Sequence, residues 1–248
     1  METSAGDRQP RIPRYGVRSL ADLSPALLGS QGSAIEIEDA PRVCLLLVDG
    51  LGSELLHANR AIAPFMNSLA QEPLTTGFPA TTAASISSLA TGLPPGQHGL
   101  LGYTMALPGQ SRAFNTLTWS LYGIGPRVSL LDAFVPEHVQ AEKTMVERAV
   151  EQGRRVTRIG PGAHDGSGLS RAVWRAGEFR AAETLEAVLA QSLGALQPAN
   201  TFVYAYHPKL DSTGHVQGVA SQAWRDELGS IERSLVSFAE RLPRDCLL

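Results

Sequence analysis

Val43 to Gly52, VCLLLVDGLG, is an unbroken apolar run closed by Asp-Gly-Leu-Gly. A strand of that composition, with no polar alternation, fits the centre of a parallel sheet covered on both faces. Helix-length and strand-length segments alternate after it. Glu54–Ala70 is predicted to be a helix, because Leu55, Ile62, Phe65, Met66 and Leu69 recur at helical spacing. Leu74–Phe78 reads as a short strand and Thr82–Thr91 as a helix. Helix Ala141–Gln152, strand Arg155–Ile159, helix Ala181–Leu196, strand Thr201–Tyr206 and helix Ser221–Leu242 follow. That alternation predicts an α/β fold, a three-layer α/β/α sandwich with a mostly parallel sheet. Gly99–Gly125, rich in Gly, Thr and aromatic residues, interrupts it and reads as irregular strands and loops over the site, a candidate lid or substrate wall.

The chain has 248 residues, enough for one sizeable core or a domain with a cap. Hydrophobic residues make up 43% and charged residues 18%, an ordinary soluble composition. The net charge of −3 and the lack of a basic-aromatic stripe argue against a nucleic acid polymer as partner. No apolar run approaches the roughly 20 residues that span a bilayer, so no membrane partner is expected. The N-terminus has no hydrophobic signal core, which makes cytoplasm the default location. Residues 1–40 are expected to be a partly disordered extension, with 1–14 disordered or loosely packed and Ser19–Leu28 a short surface helix; 41–248 form the main domain. Cys44 and Cys246 read as reduced core thiols, able to form a disulfide only if their strands are neighbours.

Four residues carry candidate chemistry. Thr82 follows a Pro-containing turn and opens a helix, where unpaired N–H groups and the helix dipole make a seat for phosphate. Taken alone, Thr82 is better explained as an N-cap, and its partners elsewhere in the chain are what favour chemistry. Asp49 falls at the carboxyl end of its strand, where open α/β sheets bind ligands. Asp211 and His215 follow strand Thr201–Tyr206, and at that spacing they converge on one divalent ion if the segment makes a turn. His207, before Pro208, reads as structural or as a support for the ligands. His164 and Asp165, in the glycine-rich PGAHDGSG segment, read as a solvated loop rather than as metal ligands.

The order of these elements resembles the alkaline phosphatase superfamily, and within it the nucleotide pyrophosphatase/phosphodiesterase branch. LLLVDGLG, FPATTAASISSLATGLPPGQHGLLGYTM, LDSTGH and WRDELGSIERSLVSFAERL carry the likeness over residues 43–248. The second is the most specific, since PATT, LATG and PPGQHG match that branch's turn, helix end and following loop. The resemblance implies two divalent metal ions, zinc foremost, with Asp49 and Thr82 in one site and Asp211 and His215 in the other. It implies a small phosphorylated substrate, a nucleotide or phosphodiester, and attack by Thr82 through a phosphothreonine. Helix-start amides at Thr82 and Ala83 would hold developing charge. Where the branch carries an Asn after its "HG", this chain offers Tyr103 or Thr104, which keeps phosphonate and phosphomonoester hydrolysis open as alternatives. The branch completes its metal sites with an Asp-His pair and a further His, which are not found before Leu248. The domain is therefore expected to be incomplete at its C-terminus, and an inactive remnant with a binding or scaffold role is the third alternative.

Overall fold

The computed structural model describes residues 11–29 and 33–248. Residues 1–10, part of the expected disordered terminus, lie outside the described residues. In chain order, a 3-10 turn at Leu20–Asp22 runs into α1 (Leu23–Leu27), followed by β1 (Arg42–Val48). Next come α2 (Ser53–Ala58), α3 (Pro64–Ser68), α4 (Thr82–Thr91) and α5 (Pro95–His98). β2 (Thr104–Met105), β3 (Phe114–Asn115) and β4 (Ser120–Leu121) make a small antiparallel sheet. α6 (Pro136–Val139), α7 (Met145–Glu151), β5 (Arg155–Gly160) and α8 (Gly168–Val173) follow. The chain continues through β6 (Glu178–Ala181), α9 (Leu185–Ala195), β7 (Thr201–His207), α10 (Lys209–Gln217), α11 (Gln222–Arg241) and β8 (Cys246–Leu247).

The main sheet has the order β6-β5-β7-β1-β8, and every pairing in it is parallel. Side chains alternate across it. Val43, Phe202, Tyr204 and Tyr206 face the layer that includes α4, α7 and α8, while Cys44, Val203, Ala205 and Ile159 face α9 and α11. The expected three-layer α/β/α sandwich is present. All seven residues of β7 are buried, so β7 rather than β1 is the strand covered everywhere. Only Arg42 and Val43 of β1 pair with β8, which leaves the outer edge of Leu45–Val48 half-exposed.

Several boundaries differ from expectation. The helix predicted over Glu54–Ala70 is two short ones. Pro64 starts α3, and the buried Glu232 carboxylate on α11 accepts from Phe65 N (2.5 Å) and Met66 N (3.1 Å), capping it from outside. Leu74–Phe78 is not a strand. Thr75 makes one parallel bridge with Ser19, and the chain beyond Ser19 turns at once into the 3-10 turn, so no ladder extends. The helix predicted from Ala141 starts at Met145, where Thr144 and Glu147 form a capping box. The segment from Ala181 begins as the last residue of β6, and α9 starts only after the Thr184 cap. The Ser19–Leu28 segment is less superficial than predicted: Ala21, Ser24, Ala26 and Leu28 are buried, and it packs on α4. The irregular Gly99–Gly125 region holds all three strands of the small sheet.

Cys44 and Cys246 lie on neighbouring strands, yet both are free thiols. Among the described residues no helix is long and apolar enough to cross a membrane.

Candidate active site

α4 is built from small residues that let it lie deep in the fold, with Ala83, Ala84 and Ile86–Thr91 all buried. Two of its hydroxyls are satisfied within the helix: Ser87 donates to Ala83 O (2.6 Å) and Thr91 to Ser87 O (2.7 Å). The N-cap is Thr81, whose side chain accepts from Ala84 N at 3.4 Å. Thr82 is therefore the first helical residue, and its hydroxyl is released from capping. Thr82 Oγ1 instead lies 3.4 Å from Asp49 Oδ2.

Asp49 extends the β1–β7 ladder by one step, its N–H donating to His207 O at 3.0 Å. Its carboxylate accepts from Gly50 N at 3.0 Å (Oδ1) and from the Tyr206 hydroxyl at 2.6 Å (Oδ2). Burial, reinforced by the Asp49 charge, pushes the Tyr206 hydroxyl far above its ordinary pKa, so it remains a donor. Gly50 has φ +79°, and a Cβ there would stand 2.7 Å from Asp211 Cα. Only glycine permits that approach of strand end to helix.

Asp211 lies in the first turn of α10 and His215 one turn later, so the DxxxH spacing is realised on a nine-residue helix rather than a single turn. His215 Nε2 is 3.5 Å from Asp211 Oδ2, and the imidazole is largely exposed. Partial burial and then the nearby Asp49 charge raise the Asp211 pKa, with His215 opposing. Two carboxylates whose charges disfavour one another, beside a hydroxyl and an imidazole, are a donor set suited in kind to a divalent cation. Among the described residues no three or more His, Cys, Asp or Glu side chains gather as a metal cluster.

A cleft of about 890 Å³ opens over this point, lined by Asp49, Thr82, Ala83, Tyr103, Asp211 and His215. Thr104 does not line it; its backbone is engaged with Asn115 in the small sheet. His207 is buried and meets Glu227 at 3.2 Å, a structural role. His164 departs from the solvated-loop expectation. It is half-buried, its ring lies tilted at 49° against the Tyr206 ring with centroids 5.4 Å apart, and burial lowers its pKa. Asp165 is exposed, as expected.

A second, more enclosed space of about 260 Å³ opens from the same Asp49 and Thr82 side chains. Arg158, Trp174, Phe179 and Tyr204 line it and were not among the candidates. The signal available was an arginine at an inward position of a strand, which the apolar pattern around it obscures.

Sheet order, flanking layers and the placement of these groups at the carboxyl ends of β1 and β7 define an alkaline-phosphatase-like α/β sandwich. The family model for type I phosphodiesterase / nucleotide pyrophosphatase matches residues 43–248, and the chain belongs to that family. No curated protein sequence matches it. Among solved structures, an inactive threonine-to-alanine variant of murine ectonucleotide pyrophosphatase/phosphodiesterase 5, in complex with AMP, aligns with a TM-score of 0.58 at 16% identity, covering 83% of this chain and 54% of that one. Another structure of the murine protein gives 0.55 at 17% identity, covering 80% and 52%. The chain thus spans about half the length of these structures, and at such identity the likeness is one of fold.

Proposed function

We propose that the cleft is the site of a phosphoester hydrolase in which Thr82 is the nucleophile. The observation that carries this is the Thr82 hydroxyl, freed from capping by Thr81 and held against Asp49 at the mouth of a cleft that Asp211 and His215 share. Asp49 and Thr82 would hold one divalent ion and Asp211 and His215 a second, zinc being the ion this mixture of carboxylate, hydroxyl and imidazole suits. A divalent ion there supplies positive charge to phosphoryl oxygens and lowers the pKa of a hydroxyl.

The remaining steps fall to the protein. Asp49 Oδ2 orients the Thr82 hydroxyl, and Tyr206 holds Asp49 in place from behind. Thr82 Oγ1 gives up its proton to solvent and bonds to phosphorus as the ester P–O bond breaks, and the alcohol leaves protonated by solvent. The N–H groups opening α4, at Thr82 and Ala83, face the charge that develops on the phosphoryl oxygens. Water then breaks the Thr82–phosphorus bond and restores the hydroxyl. The murine structure with AMP supports a small nucleotide or phosphodiester as the substrate class.

Tyr103 in the cleft wall favours a second reading, a phosphonate or phosphomonoester, since a phenol replaces a carboxamide there. The test is hydrolysis of bis(p-nitrophenyl) phosphate and p-nitrophenyl phosphate by the purified chain with added Zn²⁺, beside Thr82→Ala and Thr82→Ser. Thr82→Ala is expected to lose at least roughly 10³-fold in kcat/KM, with partial activity kept by Thr82→Ser. Turnover by Thr82→Ala equal to wild type would remove Thr82 from the role. No turnover in any of the proteins would favour a binding or scaffold role.

A further inference from the structure

β5 reads Arg155-Val156-Thr157-Arg158-Ile159-Gly160. Pleating sends Val156 and Arg158 to the face that carries α4 and α8, while Ile159 packs into the opposite core. A guanidinium thus occupies a position whose neighbours along and across the sheet are apolar or aromatic. Arg158 is in register with Tyr204 on β7 and with Phe179 on β6, its guanidinium carbon 5.6 Å from the Phe179 ring centroid. Trp174 stacks on Tyr204 with centroids 4.1 Å apart, which completes an aromatic wall beside it.

Arg154 pairs with Asp39, Arg171 with Glu137, Arg175 with Glu147 and Arg180 with Glu178, while Arg155 on the same strand is exposed to solvent. Arg158 has no such partner among the described residues, and its Nε is buried without an acceptor. Asp165 acts on it through space only, and burial disfavours its charge. An unpaired, partly desolvated cation costs folding free energy that an apolar side chain of similar volume would not. Packing alone gives no reason for it. It lines the 260 Å³ pocket, which Asp49 and Thr82 also line.

We propose that Arg158 is a specificity-determining residue: the pocket takes the organic group esterified to phosphorus, and Arg158 selects an aromatic or heterocyclic group bearing an anionic substituent. The volume suits one substituted ring. The aromatic wall supplies stacking, and the planar guanidinium matches a carboxylate or phosphate through paired hydrogen bonds. This rests on the reading of Thr82 as phosphoryl acceptor only for the orientation of the ligand, not for the pocket itself.

The test is calorimetric binding of four probes to the Zn²⁺-supplemented protein: phenylphosphonate, 4-carbamoylphenylphosphonate, 4-carboxyphenylphosphonate and 1,4-phenylenediphosphonate. Wild type is expected to bind at least one of the two probes with a para anion about tenfold or more tighter than the two whose para position is uncharged, and the tighter of them distinguishes a carboxylate from a phosphate-like group. In Arg158→Met all four are expected to bind within about threefold of one another. Equal or absent binding of all four by wild type, or a preference that survives Arg158→Met, overturns the proposal. Without ligand, Arg158→Met is expected to unfold at the same or a higher urea concentration; a lower midpoint would mark Arg158 as structural and also overturn it. Thr82→Ala is expected to keep the preference, so a failure of Thr82-dependent hydrolysis with the preference intact would sink the catalytic reading alone.

Discussion

Replacing His98 should flatten the acid limb of the stability profile. His98 ends α5, is 1% exposed, and forms two hydrogen bonds. Leu100 N donates to Nδ1 at 3.2 Å, so the neutral ring carries its proton on Nε2 and donates it to Ser88 Oγ at 3.0 Å. A second proton on Nδ1 would break the first bond and bury a charge. Burial accordingly lowers the His98 pKa from 6.5 to about 4. At ~1.4 kcal/mol per pKa unit, that drop corresponds to about 3 kcal/mol of folding free energy. The unfolded chain takes up the proton below about pH 6.5 and the folded chain only near pH 4. Stability is therefore full above the unfolded pKa and is lost as pH falls towards the folded one, with about 2 kcal/mol gone near pH 5. Urea unfolding followed by tryptophan fluorescence, near pH 7.5 and near pH 5, measures this directly. His98→Asn keeps an acceptor for Leu100 N and cannot titrate, and the carboxylates contribute to both proteins alike. If wild type and His98→Asn lose the same stability between the two pH values, within about 0.5 kcal/mol, the linkage to His98 is wrong.

Three further outcomes can be measured on the same protein. Gly50→Ala forces a left-handed backbone on alanine and drives Cβ into Asp211 Cα, so about 2–4 kcal/mol of stability should be lost in urea unfolding; a loss under ~1 kcal/mol would mean that β1 and α10 part easily. Tyr206→Phe removes the 2.6 Å donor to a carboxylate and should cost about 2 kcal/mol, read from the urea midpoint at neutral pH; no change would mean that Asp49 does not depend on it. Burial raises the Cys44 thiol pKa and leaves Cys246 the more accessible of the two, so an aromatic disulfide reagent should label Cys246 at least about tenfold faster in the folded protein, with Cys44 reacting only on unfolding; comparable rates would contradict the burial.

The sandwich was legible because strand and helix periods alternate cleanly from Val43 onward. So was the convergence of Asp49, Thr82, Asp211 and His215 on one cleft, since strand ends and helix starts fix where such residues fall. Boundaries were less so, for reasons that lie outside the segments themselves. α3 separates from α2 because a carboxylate on α11 caps it, 167 positions away in sequence. β6 forms because β5 offers it an edge, and nothing within Glu178–Ala181 announces a strand. Sequence offered Thr82 as the N-cap, whereas backbone geometry gives that role to Thr81, one residue earlier. Arg158 and His164 escaped because their significance depends on which aromatic rings face them, a tertiary matter.

The small antiparallel sheet has a mechanical consequence. Trp119, between β3 and β4, donates its indole N–H to Phe134 O at 2.7 Å and lies so close to Gly168 that a Cβ there would fall 2.2 Å from the Trp119 ring. The start of α8 and the small sheet are thus interlocked like a tenon in its mortise. Tyr103, just before β2, lines the outer cleft, whereas Ser167, Ser170 and Trp174, at either end of α8, line the inner pocket. The wall that carries Tyr103 and the helix that lines the inner pocket thus share one interlocked support, so a side chain added at Gly168 would have to displace Trp119 and disturb the footing of both spaces together.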